Sequence, residues 1–214
     1  MIVTKKELKR TKKTKIKNRH LVKKYPWLKP WRRWKKNREQ YGWDKQYKYQ
    51  YTTLDGIPYG WYKAFGEMML EELDEEIRKS NLRNFRITYV KEKWGYLNVY
   101  ASGFNDKIMD IINKYETLSQ NICAVCGKPD VGITNRGWIY PLCYKCYSRS
   151  WRINTDMDDD QIREIYNKDI AGSTNKMPDV MSKIINGNEV TTDISDTAEK
   201  IRQHWKNKNK LNKE

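Results

Sequence analysis

The chain has 214 residues and a formal net charge of +16, from 43 Lys or Arg and 27 Asp or Glu. Residues 1–50 hold 19 of the basic and 3 of the acidic residues, whereas the rest of the chain balances at 24 of each. No apolar run approaches the roughly 18–20 residues that a membrane-spanning helix needs, and the charged N-terminus lacks the apolar segment of a secretory signal, so we expect a cytoplasmic protein.

The first segment, residues 1–24, is a block of Lys and Arg broken by Thr and Asn. Such a block repels itself and offers few side chains to a core, so it is predicted to be a disordered basic arm. Its cations suit the phosphates of a nucleic acid, and the alternative is a tail that only adds solubility. The predicted nucleic-acid contacts in the arm and just beyond it are Lys5, Lys6, Lys9, Arg10, Lys12, Lys13, Lys15, Lys17, Arg19, Lys23, Lys24, Arg32, Arg33, Lys35 and Lys36.

Residues 25–60 form an aromatic and basic segment. Pro26 and Pro30 disfavour helix at the residues before them, so this segment is predicted to be extended. Its tryptophans Trp27, Trp31 and Trp34 alternate with cations. Two interpretations stay open: the indole rings stack on unpaired bases, or they pack over the folded core.

Residues 61–120 are predicted to be a small α+β core of helix, hairpin and helix. Apolar residues recur at three- and four-residue steps over 61–79, and again over 105–119, where Asn105 is a suitable N-cap. Between these helices, Phe85, Ile87 and Tyr89 alternate with polar residues, as in a half-buried strand, and Leu97 and Val99 repeat the alternation after a turn.

The other face of the first helix is strongly acidic. It either is an ordinary solvated face or receives the chain's own basic arm. Its residues are Glu67, Glu71, Glu72, Asp74, Glu75 and Glu76.

Residues 121–155 carry all four cysteines, as Cys123-x2-Cys126 and Cys143-x2-Cys146 separated by sixteen residues. This spacing is typical of a four-thiolate zinc site, in which two tight turns each aim two sulfurs at one ion. Two disulfides or four buried thiols are the alternatives. Four protein ligands leave no position for a catalytic water, so we predict one structural Zn²⁺ in a zinc ribbon or treble clef.

Residues 156–214 form a C-terminal region with weaker signals. A helix with an acidic start is predicted over 156–170, followed by a linker over 172–177 and a short helix over 197–206.

Sequence motifs of an active site are missing. The chain has two histidines, His20 and His204, and it contains no P-loop, dinucleotide-binding fingerprint or Gly-x-Ser-x-Gly elbow. With the cysteines assigned to zinc, no catalytic residues are predicted and the chain is expected not to be an enzyme.

Four stretches together resemble a group of uncharacterised zinc-ribbon proteins encoded by phages and prophages. The resemblance covers about residues 25–146 and implies a bacterial or phage-infected cell interior, but no activity or catalytic residues. The stretches are residues 25–34, residues 60–69, residues 90–95 and residues 114–119, which lead into the first cysteine pair.

The leading functional expectation is a non-enzymatic protein that binds RNA or DNA through the basic arm, with the zinc module fixing the fold. A phage-encoded inhibitor or adaptor that binds a host protein complex, in defence or transcription, is the second. A minor virion component that contacts packaged DNA is the third. Neither a membrane nor a small-molecule substrate is expected as a partner.

Overall fold

The structure, a computed structural model, describes residues 19–32, 42–43, 52–135, 138–150, 153, 156–173 and 188–210. Within these residues the fold combines helices with three two-stranded antiparallel sheets, which confirms the predicted α+β class. The first four elements are α1 (residues 19–24), β1 (Trp31–Arg32), β2 (Gly42–Trp43) and α2 (Tyr59–Trp61). The others are α3 (Glu67–Lys79), β3 (Arg86–Lys93), β4 (Tyr96–Ser102), α4 (Asp106–Ser119), β5 (Ile133–Thr134), β6 (Tyr140–Pro141), α5 (Tyr144–Tyr147), α6 (Asp159–Ser173) and α7 (Asn188–Lys210).

The helix predicted over 61–79 is present and starts two residues earlier. α2 continues through a π-helical turn, Tyr62–Gly66, into α3. Its apolar stripe forms the centre of the main core, where Phe65 stacks on Tyr115 of α4 at 5.3 Å between ring centroids. The predicted N-cap is also confirmed, because Asn105 Oδ1 accepts a hydrogen bond from the Ile108 amide at 3.0 Å.

The hairpin of β3 and β4 differs from its predicted pattern at one residue. Ile87, Leu97 and Val99 point into the core as expected. The pairing register shifts between Ile87 and Tyr89, however, so Val90 takes the next inward position and Tyr89 lies on the outer face. A β-bulge of this kind interrupts the two-residue alternation on which the prediction relied.

The prediction of a disordered arm up to residue 24 is wrong for residues 19–24. These residues form α1, and Leu21 and Val22 are buried in the main core. An apolar pair within a basic block has enough surface to dock one short helix, although the block as a whole predicts disorder. Residues 1–18 lie outside the described part of the chain.

The prediction of an extended chain after residue 24 is also wrong at Pro26–Leu28, which form one 3₁₀ turn. Proline tolerates the first position of a helical turn, where its missing N–H is not needed. The local effect of proline holds, since Lys29, which precedes Pro30, is extended at φ −64° and ψ 128°.

Both C-terminal helices are present with shifted bounds. α6 starts at Asp159, where Asp158 Oδ1 accepts from the Gln161 amide at 2.8 Å and the Gln161 side chain accepts from the Asp158 amide in return. The first two residues of the predicted linker, 172–173, belong to α6, and the rest of it lies outside the described residues. α7 is far longer than the predicted helix over 197–206, and no helix in the described ranges could cross a bilayer.

Candidate metal centre

The four cysteine sulfurs meet at one point between the main core and α6. Their Sγ atoms all lie within 4.8 Å of one another, with Cys123 and Cys143 buried and Cys126 and Cys146 partly exposed. No disulfide joins them, so the predicted alternative of two disulfides does not describe this structure.

The spacing of the sulfurs fits a metal better than it fits a disulfide. Cys126 Sγ and Cys143 Sγ are 3.7 Å apart. Four thiolates at about 2.3 Å from a tetrahedral zinc ion have sulfurs about 3.8 Å apart, whereas a disulfide bond is about 2.05 Å long. The cluster therefore has the size of a four-thiolate metal site.

The first pair sits on a tight turn of the backbone. The Gly127 amide donates to the Cys123 carbonyl, and the Cys123 amide donates to the Lys128 carbonyl, each at 2.8 Å. Gly127 has φ +83°, a left-handed conformation that L side chains rarely adopt. A Cβ at that position would also lie 2.6 Å from the Gly60 carbonyl oxygen, so glycine is required there for two reasons.

The second pair is held by the start of α5. Cys143 precedes the helix, and its carbonyl accepts hydrogen bonds from the amides of Cys146 and Tyr147, each at 2.9 Å. This single turn brings the Cys146 sulfur back beside that of Cys143. β5 and β6, which pair Thr134 with Tyr140, form the hairpin between the two cysteine pairs.

The proton balance of the cluster favours a cation. Hydrogen bonds from the thiol of Cys126, and then from those of Cys143 and Cys146, lower the pKa of Cys123. The pKa of Cys146 is raised mainly by its hydrogen bond to Cys123, and further by those to Cys126 and Cys143. Against the opposing effect of Cys123, the pKa of Cys143 is also lowered, by hydrogen bonds from Cys126 and Cys146, whereas that of Cys126 is raised. Two thiolates are thus stabilised at the expense of the other two, and complete ionisation requires positive charge such as a divalent metal ion supplies.

The metal centre is anchored to the main core through its first cysteine pair. Trp61 Nε1 donates to the Ile122 carbonyl at 2.8 Å, and the indole stacks on Tyr140 with centroids 6.3 Å apart. The Gly60 amide donates to the Ala124 carbonyl at 2.8 Å, and a Cβ on Gly60 would collide with the Cys123 carbonyl at 2.2 Å. α2 is therefore in direct contact with the turn that carries the first cysteine pair.

α6 covers the other side of the centre, a contribution that the sequence analysis missed. Tyr166 packs against Tyr144 and Tyr147, and its hydroxyl donates to the Leu142 carbonyl at 2.9 Å. Burial raises the pKa of Tyr166 to about 12, so its phenol stays protonated and keeps donating. The sequence does contain a pattern that could have revealed this contact: Ile162, Ile165 and Tyr166 are spaced so that they share one face of a helix.

The predicted nucleic-acid contacts fall mostly outside the described residues. Arg19, Lys23 and Lys24 are exposed on α1, and Arg32 lies in β1, where only the backbone is described. The residues outside are Lys5, Lys6, Lys9, Arg10, Lys12, Lys13, Lys15, Lys17, Arg33, Lys35 and Lys36.

Among the tryptophans, Trp27 packs and does not present its ring to a base. It is 7% exposed, lies edge-on to Phe85, and donates from Nε1 to Asp74 Oδ1 at 3.1 Å. Of the two interpretations left open by the sequence, packing over the core therefore describes Trp27. Trp31 lies in β1, paired with Trp43, and Trp34 is outside the described residues.

The acidic face of α3 receives part of the chain's own basic segment. Lys24 Nζ lies 3.1 Å from Glu71, and Trp27 bonds Asp74. On the opposite side Glu72 accepts from the buried ammonium of Lys114 and from the Tyr115 hydroxyl. The end of the predicted arm is thus docked on this face.

Comparison with protein-family models, with curated proteins and with solved structures finds no match to this chain.

Proposed function

We propose that this chain is a non-enzymatic nucleic-acid-binding protein of phage or prophage origin. In this proposal its basic arm contacts phosphates, and its four-cysteine centre holds one structural zinc ion in a treble-clef-like zinc ribbon. The observation that carries the binding function is the separation of charge: the net +16 falls in residues 1–50, while the remainder is neutral. A polyanion is therefore attracted to one cationic segment, which is attached to a body with no net charge.

The structural role of the metal rests on the ligand set. Cys123, Cys126, Cys143 and Cys146 would supply all four ligands of a tetrahedral zinc ion, which would then have no open position for substrate or water. Thiolate ligands at this spacing favour zinc over magnesium or calcium, which prefer oxygen. The ion would join the two cysteine turns, whose backbones also meet where the Ala124 amide donates to the Pro141 carbonyl at 3.0 Å.

The binding role of the arm rests on counterion release. Each lysine that neutralises a phosphate releases condensed cations, so affinity falls steeply with salt. The body contributes geometry: α1 docks on the core at Leu21 and Val22, and this fixes where the arm leaves the fold.

A protein-binding inhibitor or adaptor is the second candidate, favoured by exposed tryptophans near the metal module. Trp138 is 62% exposed, Trp94 is 59% exposed, and Val125 projects from the first cysteine turn. Tryptophan is enriched at protein interfaces, where its large ring fills a partner's pocket.

The test is binding of labelled single-stranded RNA and duplex DNA across a salt series. One variant replaces four arm cations by Gln, and a matched control replaces four cations of α7. For the arm variant we expect the slope of log affinity against log salt to fall by about 3 on single strands, with little change for the control. No binding by the full chain at low salt would overturn the proposal. The arm positions are Lys12, Lys13, Lys15 and Lys17, and the control positions are Lys200, Lys206, Lys208 and Lys210.

A further inference from the structure

The outer face of the β3–β4 hairpin combines aromatic rings with cations. Cross-strand pairing places Tyr89 beside Tyr100, Lys91 beside Asn98, and Lys93 beside Tyr96. The neighbouring residues Val90, Leu97 and Val99 point into the core, so these three pairs face outward. We call these six residues the hairpin face; none is acidic, and it is about 16 Å long.

Two tyrosine rings are the most exposed aromatic groups of this face. Tyr89 is 53% exposed and Tyr100 is 45% exposed, with their centroids 6.2 Å apart and their planes tilted by 40°. The register shift next to Tyr89 is what turns its ring outward. The rings therefore lie in solvent and not in the core, where a regular strand would have placed Tyr89.

Cations lie directly beside the rings. Lys91 Nζ is 5.3 Å from the centroid of Tyr89 and 5.6 Å from that of Tyr100. Towards the turn, Lys93 Nζ lies 4.1 Å from the ring of exposed Trp94. Lysine has a flexible four-carbon stem, so each ammonium can swing from its ring to a phosphate.

The hairpin face places aromatic rings beside cations, as bases lie beside phosphates along a single-stranded polynucleotide. Bases stack on aromatic side chains in a sequence-tolerant way, and lysines neutralise the backbone. In a duplex the faces of the bases are already covered by their neighbours. A face built for stacking therefore distinguishes single strands from duplexes, which a basic arm alone does not.

We propose that the hairpin face binds a single-stranded polynucleotide, with bases stacked on Tyr89 and Tyr100 and with phosphates held by Lys91 and Lys93. The inference rests on the proposed function and adds to it a defined surface and a preference for single strands. The basic arm then supplies affinity for any polyanion, and the hairpin face supplies the choice among nucleic acids.

The test uses the full chain with zinc and three labelled probes: a 12-residue oligouridylate, a 12-residue oligodeoxyuridylate and a 12-base-pair DNA duplex. The double variant Tyr89→Ala/Tyr100→Ala removes both rings, and Tyr89→Phe/Tyr100→Phe is the matched control that keeps them. We expect the alanine variant to bind both single strands at least about tenfold more weakly. The phenylalanine variant should bind as the wild type does, and duplex binding should not change in either.

A lysine variant keeps the test decisive if alanine at both tyrosines disturbs the strand pairing. Lys91→Gln leaves the rings and the sheet intact, and we expect it to lower the salt slope on single strands by about 0.7.

The outcomes separate this inference from the proposed function. Alanine and glutamine variants that bind single strands like the wild type, while the arm variant loses affinity, would overturn the role of the hairpin face in binding and leave the arm's role standing. Equal losses for the phenylalanine and alanine variants would overturn stacking. A full chain that binds no polynucleotide would overturn both. Tighter binding of oligouridylate than of oligodeoxyuridylate that disappears in the alanine variant would support the face and identify RNA as its ligand, because the two probes differ only in the 2′-hydroxyl.

Discussion

The indole nitrogen of Trp61 donates a hydrogen bond to the carbonyl oxygen of Ile122, the residue before the first cysteine of the metal centre, at 2.8 Å. Trp61 is the last residue of α2 and is fully buried. One side chain therefore belongs to the main core and also fixes the position of the turn that carries the first cysteine pair.

Replacing this indole is expected to weaken both the core and the metal centre. Trp61→Phe removes the donor to a buried carbonyl, at a cost of about 1–3 kcal/mol in unfolding free energy. Urea unfolding of the zinc-loaded protein measures this cost, and the rate of zinc transfer to a chelator should rise in parallel. Trp138→Phe is the matched control, because Trp138 is exposed and its indole donates to the carboxylate of Glu92 at the surface, and it should change stability by less than about 0.5 kcal/mol. A variant that unfolds like the wild type would contradict the anchoring role.

Removing one ligand of the metal centre should release the ion. For Cys143→Ser we expect loss of zinc and unfolding at least of the surrounding module, since the hydroxyl is a poor zinc ligand and the turns depend on the metal. Val125→Ser makes a similar change between two cysteines at an exposed position and should retain zinc. Metal analysis and near-UV circular dichroism distinguish the two, and a well-folded, metal-free Cys143→Ser protein would contradict the site.

Because α1 belongs to the folded body and not to the arm, two truncations of the N-terminus are expected to differ in stability. Removing residues 1–24 takes Leu21 and Val22 out of the core, whereas removing residues 1–18 leaves them in place. The longer deletion should be less stable than the shorter one by about 3 kcal/mol or more. Denaturant midpoints compare them, and equal midpoints would mean that α1 does not contribute to the fold.

The buried carboxyl group of Glu116 is expected to make the free energy of unfolding depend on pH. This carboxylate accepts a hydrogen bond from the Val99 amide at 2.7 Å, and burial raises its pKa from the ordinary value of 4.5 to about 7. The folded state then holds the proton more tightly than the unfolded chain does, so this group's contribution to stability falls as the pH rises from 4.5 to about 7.

Glu116→Gln should abolish this loss of stability with rising pH, while the amide oxygen of Gln still accepts the hydrogen bond from the Val99 amide. We expect the variant to gain stability relative to the wild type as the pH rises through this window, with little further gain above it. Urea midpoints at several pH values measure the gain, and Glu67→Gln, on an exposed position of α3, is the control. Parallel pH curves for wild type and Glu116→Gln would contradict the buried environment of this carboxylate.

The cysteine cluster and the main helices could be predicted from the sequence because their signals are local. Two Cys-x2-Cys pairs, an N-cap at Asn105 and a stripe from Trp61 each depend on residues a few positions apart. The orientation of Tyr89 could not be predicted, because a bulge changes which residues face the core and leaves no mark in the alternation itself.

The packing of α1 and α6 against distant parts of the fold could not be predicted from the sequence either. Nothing local distinguishes Leu21 and Val22 from a solvated pair in a lysine-rich block, since their burial depends on a surface formed by other elements. The same holds for α6, whose Tyr166 covers the metal centre from a segment outside the cysteine motif.

The claim on which the architecture most depends is that four cysteines hold one zinc ion, and the direct measurement is the metal content and thiol reactivity of the purified full chain. We predict one zinc ion per chain and no reactive thiol until a chelator removes the metal, after which all four cysteines react. A folded chain that contains no metal and has four freely reactive thiols, or two disulfides, would contradict the centre.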